Sequence, residues 1–103
     1  MTPCNCCGTA PERRESPDGG RVMFICPTCH QRGAASSSEA YARSTWERGN
    51  NPALPAFDRG RTGRPRFFER DGRWGTRCTV TRHEDHGYLT FDGALAGWMR
   101  QCR

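Results

Sequence analysis

Cys4-x2-Cys7 and Cys26-x2-Cys29 are two cysteine pairs with the spacing that lets both thiolates of a tight turn converge on one point. Zinc takes four such donors in a tetrahedron, with each sulfur about 2.3 Å from the metal. Between Cys7 and Cys26 lie 18 residues, enough for a hairpin that brings the two turns together. The spacing therefore predicts one structural zinc ion held by Cys4, Cys7, Cys26 and Cys29. Four thiolates fill the coordination shell and leave no position for water or substrate, so the expected role is structural and not catalytic. Cys6 offers Cys4-x-Cys6 as an alternative first pair, but Gly8 favours Cys7, because the residue after such a turn often needs glycine's backbone freedom. His30 is read as a neighbour of the site or a surface residue.

Cys78, His83, His86 and Cys102 form a second set with metal-ligating chemistry. Cys78 and Cys102 both fall on apolar faces of their expected elements, where a free cysteine behaves as a small hydrophobe, so the core reading is preferred. His83-Glu84-Asp85-His86 is alternatively a polar cluster that meets a partner or responds to pH. The chain carries no glycine-rich phosphate loop, nucleophile elbow or His-Glu-x-x-His motif, and it is read as a non-enzyme.

All sixteen basic residues are arginine, and the net charge is +5. Residues 1–51 hold six arginines against five acids, whereas 52–103 hold ten against six, so most of the excess lies in the second half. Uniform arginine usage needs no functional reason, but a guanidinium also binds phosphate or carboxylate in a two-pronged fork. Arg59, Arg61, Arg64, Arg66, Arg70, Arg73, Arg77 and Arg82 are interleaved with Phe67, Phe68 and Trp74. With Trp74, these arginines are the candidate contacts to a partner or to DNA or RNA, since arginine tracks phosphates and aromatic rings stack on bases. Charge of this sign argues against an anionic DNA mimic.

These groups must be positioned by small elements. With 34% hydrophobic and 26% charged residues in 103, one large core is not expected, and lobes of about 50 residues commonly need a metal or partner for stability. The predicted class is α+β: a zinc ribbon with a helix over 1–50, a Pro/Gly/Arg-rich linker over 51–66, and a three-stranded antiparallel meander with a C-terminal helix over 67–103. In the first lobe a strand over 9–15, a turn at Ser16-Pro17-Asp18-Gly19-Gly20 and a strand over 21–25 join the two knuckles. Ser36 and Glu39 fit a capping box for a helix over 37–48, anchored by Trp46 and ended at Gly49. Within the linker, Leu54 and Phe57 offer apolar groups for docking on one lobe. Asp71-Gly72 is a strong hairpin signal. The following strand puts Trp74, Thr76, Cys78 and Val80 on one side, a turn is expected at 83–87, and a third strand at 88–91. Asp92 is placed as N-cap of a last helix whose apolar face is Ala94, Leu95, Trp98, Met99 and Cys102. Beyond a coarse likeness of sheet followed by helix in each lobe, no repeat is evident.

Seven cysteines are an odd number, and the opening residues show no basic and apolar leader, which points to reducing cytoplasm rather than a secreted disulfide scaffold. No apolar run is long enough to cross a membrane.

Pro3-Cys4-Asn5-Cys6-Cys7-Gly8, then Cys26-Pro27-Thr28-Cys29, then Ala42-Arg43-Ser44-Thr45-Trp46-Glu47-Arg48 together resemble the Lar-type restriction alleviation proteins of phages and prophages. The resemblance covers about residues 2–50, departs from the family's usual glycine and asparagine at His30 and Glu47, and does not extend into the C-terminal half. It implies a phage-encoded protein acting in the cytoplasm of a bacterial host against a defence system, with type I restriction-modification as the family association. The resulting expectation is a non-enzymatic anti-defence protein that binds a host restriction-modification or CRISPR complex, with the ribbon as scaffold and the arginine-rich lobe as contact surface. The alternative is a nucleic-acid-binding zinc-ribbon module in transcription or replication. Oligomeric state stays open.

Overall fold

A computed structural model describes residues 1–102. The fold is α+β, with a two-stranded and a three-stranded antiparallel sheet and two helices, in two compact units, Met1–Asn51 and Pro52–Arg103. No helix among the described residues is long and apolar enough to cross a membrane.

In the first unit, β1 (Glu12–Glu15) pairs with β2 (Val22–Ile25) in the register Glu12 to Ile25 and Glu15 to Val22. β1 starts later than the expected Thr9, because the Thr9 carbonyl accepts the Cys4 amide and closes the first cysteine turn. The loop between the strands is held by Asp18, whose carboxylate accepts from the Gly20 amide at 2.9 Å and the Ser16 hydroxyl at 2.5 Å. After the second cysteine turn the chain returns along β2 through isolated bridges from Arg32 to Ile25 and from Ser36 to Val22. That pairing occupies Ser36, so the N-cap of α1 (Glu39–Gly49) is Ser38, two residues later than expected, with its hydroxyl accepting from the Tyr41 amide at 3.2 Å. Glu39 does not reach back to complete a capping box; its carboxylate accepts from Arg13 Nε at 2.7 Å. Ala42 and Trp46 are fully buried against Val22, Phe24, Cys4 and Cys26. The Trp46 indole N–H donates to the Thr2 carbonyl at 2.8 Å, and the Asn5 amide donates to Asn50 Oδ1 at 3.0 Å, so the helix end clamps the N-terminal segment.

In the second unit, β3 (Pro65–Arg70), β4 (Arg73–Cys78) and β5 (Glu84–Tyr88) form a meander in that order, followed by α2 (Phe91–Gln101). Asp71 and Gly72 both take positive φ, 53° and 74°, as a two-residue hairpin turn of this type demands. The second turn falls earlier than expected: residues 79–81 turn beneath Arg82, whose amide donates to the Cys78 carbonyl at 3.0 Å. This ends β4 at Cys78, leaves Val80 53% exposed instead of in the core, and moves the third strand from the expected 88–91 to 84–88. Phe91 is thereby released into the first turn of α2, where Thr90 and not Asp92 is the N-cap, accepting from the Gly93 amide at 3.0 Å. Phe91 is buried, its ring 4.4 Å from Phe67 and 5.5 Å from Trp74. The segment read as a linker packs into this unit from Pro52 onward. Ala56 and Asp58 are buried, the Phe57 ring lies 5.0 Å from Trp98, and the Trp98 indole N–H donates to the Pro55 carbonyl at 2.8 Å.

The two units repeat one plan. The bridges from Val22 to Ser36 and from Ile25 to Arg32 match the pairs Trp74 with Tyr88 and Arg77 with Glu84, each residue lying 52 positions beyond its counterpart. The same displacement relates the N-caps Ser38 and Thr90, the buried Ala42 and Ala94, Trp46 and Trp98, the C-caps Asn50 and Cys102, and Cys26 and Cys78. The close contact between strand and helix is also shared, with the small residue exchanged. A Cβ at Gly33 would lie 2.5 Å from Thr45 Oγ1, and at the matching pair a Cβ at Gly97 would collide with Asp85 and Tyr88.

Candidate metal centre and arginine face

The sulfurs of Cys4, Cys7, Cys26 and Cys29 lie within 4.8 Å of one another, with Cys4 to Cys29 at 3.5 Å and Cys7 to Cys26 at 3.2 Å. Tetrahedral zinc–thiolate geometry needs sulfurs about 3.8 Å apart, so this set has the identity, number and spacing to hold a metal ion. Each pair is shaped by the same backbone bonds. Gly8 N–H donates to the Cys4 carbonyl at 2.8 Å and His30 N–H to the Cys26 carbonyl at 3.0 Å. Gly8 and His30 take φ of 77° and 66°, which identifies His30 as a turn residue rather than a ligand. The Cys6 amide points at Cys4 Sγ at 3.4 Å and the Cys29 amide at Cys26 Sγ at 3.5 Å, a pattern that stabilises thiolate charge. Cys6 thus supports the site through its backbone, while Cys7 supplies the fourth sulfur.

Electrostatics separate three of these thiols. Burial pushes Cys4 and Cys29 up, against the direction a ligand requires, whereas a hydrogen bond with the Thr9 hydroxyl brings Cys7 down to about 6. Cys4 and Cys26 are buried, Cys29 is half-buried and Cys7 is exposed, and a divalent cation among four thiols this close would be the counter-charge that holds them as thiolates.

The second cysteine and histidine set does not come together. Among the described residues the only group of three or more potential ligands is the four-cysteine set. Cys78 is fully buried behind the β3–β4–β5 sheet, beside Thr76, and His86 pairs with Gly75 on the opposite side. His83 meets the Phe57 ring edge-on at 6.1 Å, and Cys102 Sγ donates to the Pro55 carbonyl at 3.4 Å.

The predicted contact set separates by strand register, since directly paired residues share a face. Arg66 pairs with Arg77, Phe68 with Gly75, Arg70 with Arg73, and then Gly75 with His86 and Arg77 with Glu84, so all of these share one face of the unit-2 sheet. The other face carries Pro65, Phe67, Trp74, Thr76 and Cys78, all buried. Trp74 is therefore a core residue against Phe91 and not a contact residue, because β4 turns it toward α2. Arg61 and Arg64 are tied to the chain, donating to the carbonyls of Ala56 at 2.9 Å and Leu54 at 3.3 Å. Arg59 and Arg82 are exposed in turns away from the strands. Phe68 is the residue sequence reading undervalued. The signal available was its pairing, across the Asp71-Gly72 turn, with the one glycine of β4.

On the open face the Phe68 ring lies over Gly75, where an added Cβ would fall 2.7 Å from Phe68 Cζ. The Arg70 guanidinium sits 4.7 Å from the ring centroid, and its Nη1 lies 3.3 Å from Glu84 Oε1. Arg77 Nε is 3.9 Å from Glu84 Oε2, so one carboxylate faces two arginines. No protein-family model, curated protein or solved structure matches this chain.

Proposed function

We propose that the protein is a non-enzymatic anti-defence protein of a phage or prophage, which binds and modulates a host restriction-modification or CRISPR complex in the host cytoplasm. Unit 1 is its zinc-stapled scaffold, and the open sheet face of unit 2 is its contact surface. The observation that carries this reading is the division of labour between the units. Four thiolates leave zinc no open coordination position, which favours a structural role, while Arg66, Arg70, Arg73 and Arg77 lie together on a sheet face whose reverse is the core. The target class rests on the resemblance of residues 2–50 to Lar-type proteins. Restriction and CRISPR complexes both handle nucleic acid, and a cationic face fits a polyanion they hold or an acidic surface that contacts it.

The test is phage plating on otherwise identical hosts that carry a type I restriction system, a CRISPR system or neither. Expression of the chain should raise plating efficiency of restricted or targeted phage at least 10-fold on a defended host and leave the undefended host unchanged. Arg73→Glu with Arg77→Glu should abolish the gain while zinc content and folding persist. No gain on either defended host contradicts the proposal.

A further inference from the structure

We infer that the open face of the β3–β4–β5 sheet is a binding platform for single-stranded nucleic acid, with one base stacked on the Phe68–Arg70 pair and the flanking phosphates taken by Arg66, Arg73 and Arg77. This deepens the function proposed above by naming the chemistry of the ligand within the target complex, and it rests on that reading only for the biological setting.

Three observations converge. First, Gly75 has no side chain on this face, and the Phe68 ring fills the space a Cβ would take, beside the His86 Cβ. In unit 1 the matching cross-strand pair is Arg14 with Met23, so the same scaffold offers no backbone floor for a ring there. Second, the Arg70 guanidinium carbon lies over the Phe68 ring, 4.7 Å from its centroid, and both aromatic rings and guanidinium planes stack on unpaired bases. Third, charge is one-sided. The strand register puts Arg66, Arg70, Arg73 and Arg77 on this face together with the Glu84 carboxylate and His86. An acidic protein surface would use the charges but not the stack. A duplex hides its bases from a flat sheet, whereas a single strand presents base and phosphate together.

The experiment is fluorescence anisotropy of the full zinc-loaded chain with labelled 12-nucleotide single-stranded DNA, the same RNA sequence, and the corresponding duplex. The single strands should bind with a log-log salt slope of about −2 to −3, as expected for three or four neutralised phosphates, and more tightly than duplex. Phe68→Ala should weaken binding at least about 5-fold at every salt concentration without changing the slope, as loss of a stacking contact predicts. Arg70→Lys, which keeps charge but loses the planar fork, should weaken binding similarly, while Arg73→Gln should reduce the slope by about 0.7. Arg73 is exposed, so that variant remains informative if Phe68→Ala unfolds. Absence of binding at 50 mM salt, equal affinity for duplex, or Phe68→Ala and Arg70→Lys binding like the parent would overturn the inference. Competition by a polyglutamate peptide at equal charge concentration would do so in favour of an acidic protein partner. Purified oligonucleotides read this inference alone; plating efficiency reads the proposed function, so either can fail without the other.

Discussion

Cys26 and Cys78 occupy the same position in the two units, yet what surrounds them differs. In unit 1 the turn over 26–31 meets the turn over 4–9 through four sulfurs and one hydroxyl pair, Thr9 Oγ1 with Thr28 Oγ1 at 3.2 Å, and the buried aromatics are Phe24 and Trp46. In unit 2 the turn over 78–83 keeps the same backbone, with Cys78 N–H donating to the His83 carbonyl and Arg82 taking φ of 67° where His30 takes 66°. Thr81 stands where Cys29 would be, and the Thr81 amide donates to Cys78 Sγ at 3.4 Å. The opposing turn, over 58–63, joins it directly. Arg64 N–H donates to Thr79 Oγ1 at 2.9 Å and Thr79 N–H to the Arg64 carbonyl at 3.1 Å, and a Cβ at Gly63 would lie 2.7 Å from both Asp58 Oδ1 and Cys78 Sγ. Phe67, Trp74, Phe91 and Trp98 are all buried there. Large aromatic side chains bury 150–250 Å² each and dominate core energetics, so unit 2 has in its core what unit 1 is proposed to gain from a metal. On the proposed reading one plan is held in two ways, by metal ligation in unit 1 and by aromatic burial with main-chain turn-to-turn hydrogen bonds in unit 2.

The largest expected effects break this contrast at its root. Cys26→Ser should abolish metal binding and unfold unit 1, because zinc contributes on the order of 10–16 kcal/mol of apparent binding free energy in small finger peptides. Cys78→Ser should leave the metal content of the purified protein, measured by elemental analysis, unchanged. Truncating the paired tryptophans comes next. Trp46→Ala should cost about 3–5 kcal/mol in unit 1 and Trp98→Ala a similar amount in unit 2, each read by denaturant unfolding with unit-specific NMR signals. Gly33→Ala should cost about 1–3 kcal/mol, since the new methyl lies 2.9 Å from the Trp46 amide nitrogen as well as against Thr45.

The smallest effect is set by pH. Burial pushes the Asp58 carboxyl up, but the Gly63 and Thr62 amides at 2.7 and 3.1 Å outweigh it, and the net shift is downward. A carboxyl lowered on folding contributes stability above its unfolded pKa of about 4, and that contribution is lost as pH falls through the lowered folded value. Asp58→Asn should therefore destabilise unit 2 at neutral pH and flatten its acid sensitivity below about pH 4, with unit 1 unaffected at neutral pH; thermal unfolding across pH checks both.

The cysteine spacing and the Asp71-Gly72 hairpin were legible because each depends on residues adjacent in sequence. Trp46 as anchor was equally clear, being the one large apolar residue on the inner face of its helix. Register was harder to read. The turn at 79–82 is a cysteine knuckle without its second cysteine, so its signature residue is missing, and the more polar stretch over 83–87 drew the turn toward itself. Trp74 reads as a contact residue because it lies among arginines in sequence, although alternation along β4 sends it to the opposite face. The repeat was hidden for the same reason: the units share bridges, caps and tryptophans but not the metal set that would have announced it.

Amide-resolved NMR of the full chain before and after chelation tests the contrast most directly. The account predicts that signals from residues 2–50 collapse to unfolded positions when metal is removed and return on adding zinc, while those of residues 52–102 keep their folded dispersion. Loss of dispersion in both units, or in neither, would contradict it.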